Sequence, residues 1–411
     1  MGENVDGVAT ENQENLAAWL YGKDDLRIEP YVPLPENLGP HDVRVQMKAV
    51  GICGSDVHYL KHLCCGPFVV REPMVIGHES AGVVLEVGSG VTNLSPGDGV
   101  ALEPGLVCGK CRPCATGRYN LCPDIAFFAT PPVHGSLANE IVYPSERCFK
   151  IPEGLTLEEG AMCEPLSVGV HACRRAGIRP GDKVAVLGAG PIGLVVLMVA
   201  KVFGASKVVV ADLQESRLAM AAKLGATATL CVSKRAEKEE KEKVQKDNPL
   251  DPDPYAVAIA MTLVEEEREH EEEKEKQQEE KQQQEKEDDM VSGLRSLLDG
   301  DADVVIDCVG MERTMTAAIA ITRPAGRVCM VGLAQAEMKL PIASACVREV
   351  DIVGVFRYCH TYPLCLDLMA SKRVDVKPLI THRFRFTKED LVEAFETSAR
   401  GDDAIKVMFN L

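Results

Sequence analysis

Cys108-x-x-Cys111-x-x-Cys114-x7-Cys122 is the most specific arrangement in the chain. Four thiols at this spacing let a short loop wrap one zinc ion in a closed tetrahedral shell, with no position left for substrate. The intervening Gly109, Lys110, Arg112 and Gly117 suit a loop better than a core. A second set is mixed: Cys53 stands in Gly51-Ile52-Cys53-Gly54-Ser55-Asp56, and His78-Glu79 follow Gly77. A thiolate, an imidazole and a carboxylate make three ligands and leave a metal one open position for chemistry. Adjacent His and Glu cannot face the same side of a strand, so a turn must present them. A third signal is Gly188-Ala189-Gly190-Pro191-Ile192-Gly193, between an apolar strand-like run and an apolar helix-length run. Strand, glycine turn and helix together cradle a dinucleotide pyrophosphate at the helix start. Asp212 ends the next strand-like run, nineteen residues after Gly193. A carboxylate there accepts from the ribose hydroxyls and repels a 2′-phosphate, which favours NAD over NADP, whereas nearby Arg217 works the other way. Glu164 is a lone carboxylate in the apolar run Met162-Cys163-Glu164-Pro165-Leu166, a candidate for proton handling. A closed zinc shell, an open metal site and a dinucleotide cradle together imply metal-assisted hydride transfer.

The elements that must position these residues follow from periodicity. Val43-Arg44-Val45-Gln46-Met47 alternates at period two, and residues 81–88 read as an apolar strand ending in a turn. Short strands between Gly/Pro turns, such as Ser95-Pro96-Gly97-Asp98-Gly99, predict a β-barrel-like domain over residues 19–107. Near Glu158 the texture changes. Strand-like runs at 183–187, 207–210, 303–309 and 327–332 alternate with helix-like runs at 194–203 and 218–224. That alternation predicts an α/β unit with a doubly wound parallel sheet. It breaks between Ser233 and Met290. Residues 265–289 hold fourteen acidic and five basic side chains and no apolar stripe, so they cannot bury a face. Residues 234–290 therefore read as a charged low-complexity insertion of about 50 residues within the second unit, with regular structure resuming at 291–298. Residues 1–15 are polar and acidic and are expected to be disordered.

At 411 residues the chain has room for two domains. It has no run of roughly 18 apolar residues, which excludes a membrane-spanning helix. A net charge of −17 argues against nucleic acid and anionic membranes as partners. Sixteen cysteines without a secretory leader point to a cytoplasmic protein that uses thiols for metal and for packing.

As a set, these residues resemble the zinc-containing medium-chain dehydrogenases, and within them the sorbitol (polyol) dehydrogenase branch in its plant form. The similarity is carried further by Val57-His58-Tyr59, Pro73-Met74-Val75-Ile76-Gly77-His78-Glu79, Gly117-Arg118-Tyr119-Asn120-Leu121-Cys122, Ala129-Thr130-Pro131-Pro132, Glu164-Pro165-Leu166-Ser167-Val168-Gly169-Val170-His171-Ala172, Arg348-Glu349-Val350-Asp351, Gly354-Val355-Phe356-Arg357-Tyr358 and Lys377-Pro378-Leu379-Ile380-Thr381-His382-Arg383-Phe384. It covers nearly the whole chain outside 234–290. The resemblance implies a β-rich GroES-like catalytic domain at 16–166, completed by 357–411, and a Rossmann domain at 167–356. It implies catalytic zinc on Cys53, His78 and Glu79, and structural zinc on Cys108, Cys111, Cys114 and Cys122. Tyr59, Glu164, Arg357 and Tyr358 would line a polyol site, with Glu164 holding the catalytic water or substrate. Ser55 and His58 fall where related enzymes place a proton relay. Besides the glycines, Ile192, Asp212, Arg217, Val331, Gly332, Leu333, Val355, Phe356 and Arg357 would contact NAD. The implied reaction takes sorbitol, or a xylitol- or ribitol-type polyol, to the 2-ketose in a homotetramer. Three positions depart from the pattern: Tyr362 replaces a Trp, His360 an Asn and Gly99 an Arg. Alternatives are a sister oxidoreductase acting on L-idonate or L-threonine, and a non-catalytic protein using the acidic insertion as an adaptor. A nucleic-acid module built on the cysteine lobe is disfavoured by the acidic balance.

Overall fold

Alternation at period two builds the middle of the first sheet. In the strand Asp42–Gly51, Val43, Val45, Met47 and Ala49 are buried, while Arg44, Gln46 and Lys48 lie on the half-exposed face. The structure, a computed structural model, describes residues 14–232 and 289–411. Asp42–Gly51 pairs antiparallel with Glu79–Val87 on one side and with Lys406–Asn410 on the other. Glu140–Pro144 also pairs with it. Gly99–Leu102 and Cys148–Lys150 extend the sheet beyond Glu79–Val87, and Ile380–Arg385 extends it beyond Lys406–Asn410. The last strand of the chain thus lies inside a sheet begun by its first hundred residues. Its register places Gly51 opposite both Glu79 and Met408.

The second sheet is wholly parallel. Its order is Ala228–Cys231, Lys207–Asp212, Lys183–Leu187, Ala302–Asp307, Thr322–Met330, Asp351–Gly354. Strands three, two and one on one side and four, five and six on the other form the doubly wound arrangement, with its ligand crevice at the carboxyl ends around the first strand. Val184, Ala185, Val186 and Leu187 are all buried, as expected of a strand covered on both faces. The helix expected over 194–203 begins at Pro191, inside the glycine motif. The one expected over 218–224 begins at Glu215. The strand expected over 303–309 stops at Asp307, whose carboxylate accepts from the Val309 and Gly310 N–H groups and turns the chain. Periodicity passed over Ala228–Cys231, four half-buried residues too short to show a pattern.

The helix Cys163–Ala176 joins the two units. Met162 just before it, with Leu166 and Val170, packs in one apolar cluster with Ala49, Ala81 and Ala101 of the first sheet and Val184 and Val186 of the second. No helix among the described residues is long and apolar enough to cross a membrane. The segment expected to be disordered, 1–15, and the charged tract, 234–290, fall almost wholly outside the described residues. Regular structure is present from residue 289, where a helix runs to 298 and buries Met290, Val291, Leu294 and Leu298. It lies on the edge strand of the parallel sheet: a Cβ placed on Gly293 would come within 3.0 Å of Leu230.

The strand that precedes residues 233–288 and the helix that follows them therefore pack against each other through Leu230 and Gly293, which is why a short linker is expected to join them. Closure entropy depends only weakly on loop length. Replacing 234–288 by a short Gly/Ser linker is expected to leave kcat/KM and the melting temperature close to wild type. Loss of turnover or of thermal stability would assign the tract a structural role.

Candidate active site

Three elements bring the mixed ligand set together. Cys53 is the N-cap of the helix Gly54–His62 and has extended backbone. Gly77 takes a φ of +90°, a left-handed turn that places His78 just before the strand Glu79–Val87. One donor atom each from Cys53, His78 and Glu79 lies within 4.8 Å of the others. A thiolate, an imidazole nitrogen and a carboxylate oxygen at this separation fit zinc, with room for a fourth ligand.

Two buried charges that sequence reasoning missed support this set from behind. Asp56 accepts from the Cys53 N–H at 2.9 Å and from the Gly77 N–H at 3.3 Å. Its Oδ1 lies 3.5 Å from His78 Nδ1, an ion-pair distance more than a hydrogen bond. Burial opposes the Asp56 charge, but His78 and the two N–H groups outweigh it and hold the carboxyl below its usual range. Lys406, 2% exposed, donates to both Glu79 carboxylate oxygens at 2.6 Å and to the Ile52 carbonyl at 2.9 Å. Burial pulls its ammonium down, yet Glu79 and Cys53 more than offset this, and the net shift is upward. Asp56 had a signal, its place three residues after the N-cap. Lys406 had only the oddity of a lysine opening an apolar strand.

Glu164 stands in the first turn of the helix Cys163–Ala176 and is buried. Burial lifts its carboxyl to about 7, with Glu79 adding to the shift and His78 opposing it. The buried Tyr358 hydroxyl faces it. Arg357 takes a positive φ of 51°. Its guanidinium lies 3.7 Å from the centre of the Phe127 ring and donates to Thr130 Oγ1 at 2.8 Å. Burial lowers Arg357 to about 10, which leaves it charged at neutral pH. Tyr59 is buried on the helix after Cys53, and burial pushes its phenol up. Ser55 is half-buried on the same helix, whereas His58 is exposed, its ring 5.7 Å from that of His62.

The glycine motif forms the turn between Lys183–Leu187 and the helix Pro191–Val202. A Cβ on Gly193 would sit 1.8 Å from the Gly188 carbonyl oxygen, so only glycine fits. A Cβ on Gly190 would meet nothing within 4 Å. That open face, with the uncapped N–H groups of Ile192 and its neighbours, fits a pyrophosphate. Asp212 accepts from the Ala189 N–H at 2.7 Å and the Gln214 N–H at 2.8 Å, which holds its carboxylate against the turn. Arg217 donates to the Gly401 carbonyl at 2.8 Å. Val331, Gly332 and Leu333 follow the fifth strand and Val355, Phe356 and Arg357 the sixth, on the same carboxyl edge.

The four cysteines converge as well, their sulfurs within 4.8 Å of one another. Cys111 and Cys114 sulfurs are 3.4 Å apart and those of Cys108 and Cys122 3.6 Å. A tetrahedron of zinc–thiolate bonds has sulfurs about 3.8 Å apart, so the set fits zinc. Backbone N–H groups of Lys110 and Cys111 pull the Cys108 thiol down to about 7, toward the ligating thiolate.

Lys406→Met is expected to lower the melting temperature, because Glu79 then stays buried without its partner, a loss of about 3–5 kcal/mol. The loss should be larger after zinc is chelated, when nothing else balances Glu79. Equal shifts with and without chelator would show that Glu79 does not face the metal.

Comparison with known proteins agrees with this geometry. The alcohol dehydrogenase GroES-like domain family matches residues 39–153. The zinc-binding dehydrogenase family matches 191–252 and 270–371, so within the charged tract only 253–269 go unmatched. A sorbitol dehydrogenase of Arabidopsis thaliana is 50% identical over 97% of this chain and 96% of its own length. An L-idonate 5-dehydrogenase of Vitis vinifera is 49% identical over 100% and 99%. Among solved structures, an Escherichia coli oxidoreductase/dehydrogenase of unknown specificity superposes with a TM-score of 0.78 at 31% identity, covering 97% of this chain and 99% of that one. With the mixed ligand set, the four-cysteine lobe and the glycine cradle each in place, the chain belongs to the zinc-binding dehydrogenases, on the branch that holds the sorbitol and L-idonate enzymes.

Proposed function

We propose that the protein is a zinc- and NAD-dependent polyol dehydrogenase that oxidises sorbitol, and xylitol- or ribitol-type polyols, at C2 to the 2-ketose. The observation that carries this reading is the set of polar groups beside the mixed ligand set: buried Glu164, Tyr358 and Tyr59, and half-buried Arg357. An ethanol-type pocket would be apolar, whereas a chain of hydroxyls needs donors and acceptors along its length. Once bound, zinc on Cys53, His78 and Glu79 supplies a Lewis acid, and NAD supplies the hydride acceptor. The remaining work belongs to the chain. Glu164, lifted toward neutrality, takes the proton from the reacting hydroxyl and passes it outward. Ser55, half-buried at the Cys53 end of its helix, and His58, exposed one turn further on, offer a second route. Arg357 and Tyr59 orient the remaining hydroxyls, and Asp212 selects NAD through the ribose. Arg217, engaged with Gly401, leaves that selection to Asp212.

Residues 16–166 with 357–411 carry the metal and substrate groups, and 167–356 carry the cofactor groups. Cys108, Cys111, Cys114 and Cys122 hold structural zinc. We place the protein in the cytoplasm, where reduced cysteines and metal thiolates persist. We read it as a homo-oligomer, a tetramer by family resemblance. The outer side of the edge strand Asp351–Gly354, which pairs with no other strand among the described residues, with Ile352 37% exposed and Val347 before it 83% exposed, is where a second copy would join.

A panel of sorbitol, xylitol, ribitol, L-idonate and L-threonine, each with NAD and with NADP, tests the reading. Polyols with NAD should give the highest kcat/KM. A preference for L-idonate would move the protein to its sister activity, and no turnover at all would favour an adaptor role.

Glu164→Gln should keep its zinc and lose about 100-fold or more in kcat, because the carboxylate moves the proton and does not hold the metal. Wild-type turnover would remove Glu164 from the reaction. Asp212→Ala should lower the NAD/NADP ratio of kcat/KM by about tenfold, the worth of a charged hydrogen bond. An unchanged ratio would show that another residue reads the ribose.

A further inference from the structure

The segment Phe356-Arg357-Tyr358-Cys359-His360 carries the side chains expected to meet the polyol, and its backbone is strained. Arg357 has a φ of 51° and His360 a φ of 53°, left-handed conformations that bulky residues keep only when their surroundings impose them. Much of what imposes them comes from the four-cysteine lobe. Tyr119–Leu121 is a short 3-10 turn between Cys114 and Cys122. Asn120, buried in that turn, donates from Nδ2 to the Phe356 carbonyl at 2.8 Å. The His360 N–H donates to the Tyr119 hydroxyl at 2.8 Å. The His360 ring stands edge-on to the Tyr119 ring, 4.7 Å between centres, with Nε2 3.1 Å from the Gly117 carbonyl. Both ends of the strained segment are thus held by the lobe, and Arg174 adds one bond to the His360 carbonyl at 2.8 Å.

The Tyr119 hydroxyl is itself anchored. It donates to Glu103 Oε1 at 2.6 Å, and Arg147 holds the other Glu103 oxygen at 3.1 Å. A hydroxyl that donates to a buried carboxylate is a stronger acceptor, which tightens its hold on His360. The lobe also supplies the floor under Arg357. Phe127 lies on the strand Ala126–Phe127 that leaves the lobe, and this strand pairs with Gly105–Leu106 that enters it.

We propose that Tyr119 and Asn120 are positioning residues for substrate: through the Phe356 and His360 backbone they set the place of the Arg357 guanidinium, so the four-cysteine lobe tunes polyol affinity from outside the pocket. The proposal rests on the polyol reading, but part of its test does not. Tyr119→Phe keeps the ring and removes the hydroxyl. It should raise KM for the polyol about three- to tenfold, the effect of losing a hydrogen bond of ordinary strength, with kcat little changed, as for an interaction shared by ground and transition states. In an Arg357→Lys background the same change should add little, because both act through one contact. Leu121→Ala, in the same turn but 40% exposed, should leave KM unchanged. Amide hydrogen exchange over 356–360 should accelerate in Tyr119→Phe with zinc content unaltered, a readout that needs no substrate. Unchanged exchange overturns the proposal whatever the enzyme oxidises. So do additive effects in the double variant, an equal KM rise in Leu121→Ala, or loss of zinc from Tyr119→Phe. If wild type prefers L-idonate, the polyol reading fails while the exchange experiment and the KM comparison on L-idonate still decide this one.

Discussion

Glu79 and Lys406 face each other 2.6 Å apart with 1% and 2% of their surfaces exposed. Neither charge can stay in such a place alone. The pair therefore constrains everything around it. Gly51 must be glycine, because a Cβ there would fall 2.2 Å from Glu79 Oε2. The register that sets Gly51 opposite Glu79 and Met408 follows, and with it the place of Cys53 two residues further on. The C-terminal strand becomes part of the site, although 327 residues separate the two charges in the chain. The pair also sets the electrostatics of the ligand set. Lys406 adds a positive charge beside Glu79 and Cys53, and the two raise its ammonium above the usual range in return.

Much of this was legible in the chain, and the reason is local. The four cysteines, the glycine motif and the His-Glu pair each work through neighbours within a few residues, and spacing records such geometry. The turn that presents His78 and Glu79 follows from the two-residue period of a strand and is seen at Gly77. Asp56 was visible as a letter inside a motif but not as a partner of Gly77 and His78. Lys406, Glu103 and the bonds from Asn120 and Tyr119 were not legible, because each joins segments distant in sequence. No period or spacing encodes the approach of Asn120 to Phe356. The edge strand Ala228–Cys231 escaped for a different reason: four half-buried residues bury too little to leave a pattern.

The two units meet along one helix, which joins the metal-ligand set to the glycine motif through packing. Cys163–Ala176 begins with Glu164 beside the metal ligands and packs its later turns against the helix that starts at the glycine cradle. Its residues share one apolar cluster with both sheets, so the carboxylate is carried on a rigid element and not on a loop. Burial along that helix is also what raises the Glu164 carboxyl. The packing that positions the group is thus the same packing that tunes it.

The charged tract lies where the second sheet can best tolerate it. It follows the third strand, an edge strand, and precedes the helix that leads to the fourth, so the crossover must in any case pass from the rim to the centre of the sheet. Parallel strands need a long connection between them, and lengthening one adds little closure entropy. Inserted between the first and second strands, the same residues would part the glycine cradle from Asp212. Inserted near Lys406, they would separate Glu79 from the charge that balances it. Residues 53, 79, 164, 357 and 406 of the candidate site all lie outside that crossover, so a long polar segment there parts none of them from its neighbours in the chain.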